Sequence, residues 1–68
     1  MNDDSFNMSI RVFLKMVGVK SQHEIEQAVA QAIADGRLKG NESLPAKMTL
    51  TIGPANLNVN FDGVIKLE

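Results

Sequence analysis

The chain has 68 residues, of which 44% are hydrophobic, with no cysteine and a single histidine. This length allows one small domain that buries only about 60% of its unfolded surface, and the lack of cysteine excludes disulfide bonds as a source of stability. Seven basic and eight acidic residues give a net charge of −1, which disfavours binding to nucleic acid or to an anionic lipid surface. Self-association is the source of additional stability that this composition leaves open.

The N-terminal sequence Met1-Asn2-Asp3-Asp4 is acidic, whereas a secretion signal begins with basic residues. No apolar run approaches the ~20 residues that are needed to span a membrane. We therefore expect a cytoplasmic protein that makes no membrane contact.

The first part of the chain has hydrophobic residues at helical spacing, which predicts a first helix from about Asp4 to Val17. Gly18 is expected to end this helix as a left-handed residue. Three residues near its start are candidates for the N-cap: Asp3, Asp4 and Ser5.

A capping-box sequence, Ser21-Gln22-His23-Glu24, predicts the start of a second helix, and Gly36 is expected to end it. The connection between the two helices is short, which favours an antiparallel or steeply crossed pair. The sequence thus predicts a helical hairpin over about residues 4–36.

The hydrophobic spacing changes from helical to alternating near Pro45. A loop is expected over residues 37–46. After it, apolar and polar residues alternate in two segments that each begin with an apolar residue, Met48–Ile52 and Leu57–Phe61. A four-residue turn, Gly53-Pro54-Ala55-Asn56, separates the two segments. These patterns predict two antiparallel strands that share one apolar face.

A third strand over residues 64–67 is expected after a three-residue loop, with Gly63 in a left-handed bulge position. This register aligns Val59 with Ile65 and Leu57 with Leu67, which keeps one side of the sheet apolar. The predicted fold is α+β, a single domain over residues 1–68 in which two N-terminal helices cover a three-stranded antiparallel β-meander over residues 47–68 (α-α-β-β-β).

The first helix is expected to be apolar on two sides. Met8, Val12 and Met16 fall roughly opposite the remaining apolar positions of the helix, which are Phe6, Ile10, Phe13, Leu14 and Val17. One face suffices to cover the small sheet. Either the other face is covered within the chain, by the 37–46 loop through Leu38 and Leu44 or by the second helix, or it is an interface with a second copy or another protein.

The sequence predicts no catalytic residues, no cofactor site, no metal site and no small-molecule ligand. His23 has no second histidine or cysteine to share a metal, and the glycines fall at predicted turns or caps rather than in a phosphate-binding cluster. The outer face of the sheet is expected to be uncharged and solvated, since it lacks aromatic residues for stacking on a ligand. Its polar residues are Thr49, Thr51, Asn56, Asn58 and Asn60.

Several segments, taken together, resemble a family of small bacterial proteins of unknown function. They are Asn2–Arg11, Phe13-Leu14-Lys15, Val17-Gly18-Val19, Ser21-Gln22, Glu24-Ile25-Glu26, Gly36–Gly40 and Leu44-Pro45-Ala46. The resemblance covers nearly the whole chain and implies a free-standing small cytosolic protein. It transfers no functional residue.

The sequence favours a non-enzymatic protein that works by protein–protein contact through its first helix, as a homodimer or an accessory subunit, and it leaves an edge of the sheet open as a second contact surface. The alternative is a weak nucleic-acid-binding or regulatory module that uses four cationic side chains. These are Arg11, Lys15, Arg37 and Lys39.

Overall fold

A computed structural model describes all residues from Met1 to Glu68 and separates them into two compact units, Met1–Arg37 and Leu38–Glu68. The first unit contains a single helix, α1 (Asp3–Ala34). The second contains strands β1 (Ser43–Ile52) and β2 (Leu57–Lys66), joined through a short 3-10 turn over Gly53–Ala55. The predicted α-α-β-β-β order is therefore wrong, because the chain has one long helix and a two-stranded antiparallel sheet.

Helix α1 runs without interruption through both positions at which the sequence predicted a break. Gly18 does not adopt a positive φ, and Ser21 lies inside the helix, where the predicted capping box is not formed. An interior glycine costs a helix only about 1 kcal/mol relative to alanine, and no proline lies between residues 3 and 34. A break at Gly18 would instead create two new helix ends. The C=O groups before the break and the N–H groups after it would then lack helical hydrogen-bond partners.

Both ends of α1 are capped by local hydrogen bonds. The N-cap is Asn2, one residue before the predicted candidates, and its Oδ1 accepts a hydrogen bond from the N–H of Ser5 at 3.0 Å. At the other end Gly36 has a φ of 79°; its N–H donates to the carbonyl of Ile33, and the N–H of Arg37 donates to that of Ala32. This is a Schellman motif, and it confirms the predicted role of Gly36.

The β-hairpin has the predicted four-residue turn, with Ile52 paired to Leu57 directly before and after it. Asn56 ends the turn in the left-handed conformation at a φ of 53°, which asparagine tolerates better than most residues. The alternating segments Met48–Ile52 and Leu57–Phe61 both lie in strands and share one face, as predicted.

The predicted third strand is absent, because β2 continues through Asp62 and Gly63 in extended conformation. Ile65 therefore pairs with Leu44 of β1, not with Val59 as predicted. β1 itself begins at Ser43, inside the segment that was predicted to be a loop. The physical reason is that Leu44 and Ala46 alternate in phase with Met48, which allows β1 to extend far enough to pair with all of β2.

The two faces of the hairpin differ in polarity. One is apolar along its whole length, formed by paired residues such as Leu44 with Ile65, Leu50 with Val59 and Ile52 with Leu57. The other is mainly polar, and on it Thr49 Oγ1 donates a hydrogen bond to Asn60 Oδ1 at 2.7 Å. The hairpin is thus a two-stranded sheet with one side suited to burial.

Candidate interaction surface

The three residues that the sequence singled out lie in a line on the exposed surface of α1. Met8 and Val12 each keep 60% of their surface exposed, and Met16 keeps 43%. Because residues four apart are neighbours on a helix surface, these side chains form a continuous apolar strip, which we call the helix stripe. Its members cannot be covered by a second helix of the same chain, since residues 21–34 continue the same helix.

The same four-residue spacing extends the helix stripe to a charged residue at each end. Asp4 precedes Met8 and Lys20 follows Met16, and both are exposed. We call the five residues Asp4, Met8, Val12, Met16 and Lys20 the helix row. The row places a carboxylate at one end, an ammonium group at the other and three apolar side chains between them.

Two shallow grooves follow the helix row and meet at Val12. The first is lined by Asp4, Ser5, Met8, Ser9 and Val12. The second is lined by Val12, Lys15, Met16, Val19 and Lys20. The first groove therefore carries one negative charge and the second two positive charges, around similar apolar centres.

The charges along α1 are segregated. The segment from residue 11 to residue 20 contains Arg11, Lys15 and Lys20 and no acidic residue. None of these three cations forms an ion pair; the one ion pair of the chain joins Arg37 to Asp35 at 2.8 Å. The cations beside the helix stripe are therefore available to an acidic group from outside the chain.

The opposite side of α1 is also apolar, as the sequence predicted. Phe6, Phe13 and Leu14 are about half exposed on that side, while Val17 is half-buried. Ala32 is the one buried residue of the whole chain. Most of the large hydrophobic side chains of the helix are thus open to solvent.

The structure contains no metal-binding cluster around His23. His23 is exposed in the middle of α1, and no group of three His, Cys, Asp or Glu side chains is placed to hold a metal ion. No helix is long and apolar enough to cross a membrane.

One well-defined polar arrangement was missed by the sequence. The carboxylate of Glu42 accepts hydrogen bonds from three consecutive backbone N–H groups, those of Lys39, Gly40 and Asn41, at 2.9, 3.0 and 3.2 Å. The bond from Lys39, followed by that from Gly40, holds the pKa of the Glu42 carboxyl below its usual value. The Gly40-Asn41 turn directly before a glutamate is the sequence signal for this arrangement, which fixes the loop before β1.

Comparison with known proteins places the chain in a family. Over residues 1–68, its whole length, it belongs to the Family of unknown function (DUF6494). This confirms the resemblance to a family without an established activity. No curated protein and no solved structure matches the chain significantly.

Proposed function

We propose that this protein is non-enzymatic and functions in the cytoplasm by protein–protein contact, as a homodimer or an accessory subunit, with the helix stripe as its interface. The observation that carries the proposal is the exposure of Met8, Val12 and Met16 in one continuous line. Exposed apolar side chains that form a contiguous strip are typical of interaction sites, whereas scattered ones are not.

The chemistry of the stripe supports a protein partner. Methionine side chains are flexible and polarizable. Met8 and Met16, one on each side of Val12, can therefore adapt to the shape of an opposing apolar surface. The grooves beside the stripe add charged groups at its rim, which is the arrangement of most protein interfaces. A membrane surface is a poorer partner, because the stripe lacks a wide cationic face around it.

The nucleic-acid alternative receives less support. Arg37, one of its four cations, is already paired with Asp35. The chain as a whole has a net charge of −1, whereas binding to phosphates requires a basic surface.

The proposal is tested by the solution mass and stability of the protein and of Met16→Lys. Burying a lysine ammonium group in an apolar interface is costly, so we expect this variant to lower the association constant and, at equal concentration, the melting temperature. Asn7→Lys is the matched control, because it adds the same charge to the same helix on the side away from the stripe.

Light scattering and sedimentation equilibrium at micromolar concentrations measure the association. A strictly monomeric protein, together with a Met16→Lys variant that matches the parent in stability, solubility and recovered partners, would contradict the proposal.

A further inference from the structure

The helix row is complementary to itself when it is reversed. From either end it presents a charged residue, a methionine, Val12, a methionine and a second charged residue, and the two charges have opposite signs. A surface with this symmetry fits a copy of itself that is related by a two-fold axis through its central residue.

We propose, building on the protein–protein contact proposed above, that the partner is a second copy of this chain, docked antiparallel through the helix row with the two-fold axis at Val12. In this arrangement Met8 lies beside the partner's Met16, and Val12 lies beside the partner's Val12. Asp4 lies beside the partner's Lys20, so the dimer contains this pair twice.

The geometry of helix packing favours this arrangement. Residues four apart form a ridge inclined by about 26° to the helix axis, and two such ridges lie side by side when the helices cross at about 50°, the commonest class of helix packing. The helix row is such a ridge, and it spans five positions of an uninterrupted helix. A break at Gly18 would have removed Lys20 from it.

The two grooves have the same self-complementary relation. A two-fold axis at Val12 brings the groove that contains Asp4 against the partner's groove that contains Lys15 and Lys20. Each dimer then has two contacts between an acidic groove and a basic groove, with the methionines between them. Charge complementarity of this kind selects the correct register and disfavours others.

A parallel pairing of the same row would be repulsive. It would place Asp4 beside the partner's Asp4 and Lys20 beside the partner's Lys20, and like charges in contact are unfavourable. It would also align the two helix macrodipoles, which are opposed in the antiparallel arrangement.

Single cysteines test the orientation directly, because the chain contains no cysteine of its own. Under mild oxidation Val12→Cys should form a disulfide between residue 12 of one copy and residue 12 of the other. Met8→Cys and Met16→Cys should cross-link to each other when the two variants are mixed, but neither should cross-link alone. In the antiparallel dimer the two copies of residue 8 are about 12 Å apart along the helices, whereas a disulfide requires Cα atoms within about 7 Å. Asn7→Cys, on the other side of α1, is the control and should remain uncross-linked.

Charge reversal tests the ends of the row. Asp4→Lys and Lys20→Asp, each alone, should raise the dimer dissociation constant roughly fivefold or more, because each replaces two opposite-charge pairs by two like-charge pairs. An equimolar mixture of the two variants should restore the parent affinity, since the pairs are then opposite again. Each variant chain is the same alone and in the mixture, and only its partner differs. Recovery of affinity in the mixture therefore shows that the single variants had lost the charge pairing and not the fold.

The outcomes distinguish this inference from the broader proposal. A Met8→Cys variant that cross-links alone as readily as Val12→Cys overturns the antiparallel register but leaves self-association through the stripe intact. Single charge variants that dimerise like the parent also overturn the register. If the protein is monomeric and forms none of these cross-links, self-pairing is overturned. The broader proposal of protein–protein contact fails as well only when Met16→Lys is also without effect.

Discussion

Replacing Gly18 by alanine should stabilise the protein, and the sign of this effect tests the continuity of α1. Gly18 lies in the interior of the helix with an ordinary helical backbone, and a Cβ added there would meet nothing within 4 Å beyond its chain neighbours and the adjacent helix backbone. The substitution therefore removes the conformational entropy cost of glycine without creating a clash.

The expected gain is about 0.5–1 kcal/mol in the free energy of unfolding, the usual difference between glycine and alanine inside a helix. For a chain of this size, that corresponds to a rise of roughly 3–7 °C in melting temperature. Thermal and urea unfolding followed by far-UV circular dichroism, at a single protein concentration, measure the change.

Gly36→Ala is the matched control. Its surroundings are equally open, but Gly36 has a φ of 79°, so alanine there should be destabilising by about 1 kcal/mol. If Gly18→Ala destabilises the protein as Gly36→Ala does, then the backbone at Gly18 is left-handed, and a single continuous helix is refuted. The two alanine substitutions thus change the free energy of unfolding in opposite directions only if the helix continues through Gly18 and ends at Gly36.

Two further substitutions test the second unit. Gly63→Ala should raise the free energy of unfolding by about 0.5–1 kcal/mol, because Gly63 is extended and its surroundings are open; a loss of stability in urea unfolding would instead indicate the bulged turn. Glu42→Gln should lower stability at neutral pH, because the ionised carboxylate accepts the three loop N–H groups. The pKa of Glu42 is lowered by folding, so its contribution is present above the usual value of 4.5 and is lost as the pH falls through the lower folded value. The urea midpoint of Glu42→Gln should therefore depend less on pH in the acid range than that of the parent, and equal pH dependence would contradict this role.

The sequence predicted correctly those features that depend on one local signal. Gly36 ends the helix, and Gly53-Pro54-Ala55-Asn56 turns the chain between two alternating strands. In each case a residue with a special backbone preference stands where the hydrophobic spacing also changes, so two independent signals agree.

The errors arose where a local signal competed with the continuation of an element. Gly18 and the capping box at Ser21 are compatible with a helix end, but each is worth only about 1 kcal/mol, less than the hydrogen bonds of an uninterrupted helix. The loop was predicted to continue through Pro45 to residue 46, and proline cannot donate a hydrogen bond to a central strand. In a two-stranded sheet both strands are edges, so Pro45 is accommodated in β1, opposite Val64.

The candidate interface was only partly visible in the sequence for the same reason. The spacing of Met8, Val12 and Met16 requires nothing more than a helix, and it could be recognised from the pattern alone. Lys20 could not be assigned to the row while the helix was expected to end at Val17. The charge pair that fixes an antiparallel register follows from the length of α1, not from any local motif.

The proposed association also bears on how the chain is stabilised. An isolated two-stranded hairpin is marginally stable in water, and this one has a complete apolar face. Helix α1 is apolar on two sides, and Ala32 is the one buried residue of the chain. Removal of apolar surface from water is the main favourable contribution to folding, so much of the stabilisation that these side chains offer is gained only on contact with a partner.

Folding and self-association are then linked equilibria, and the melting temperature of the parent should rise with protein concentration. In Met16→Lys this dependence should be weaker, which scanning calorimetry over a wide concentration range would show; a melting temperature independent of concentration in the parent would refute the linkage.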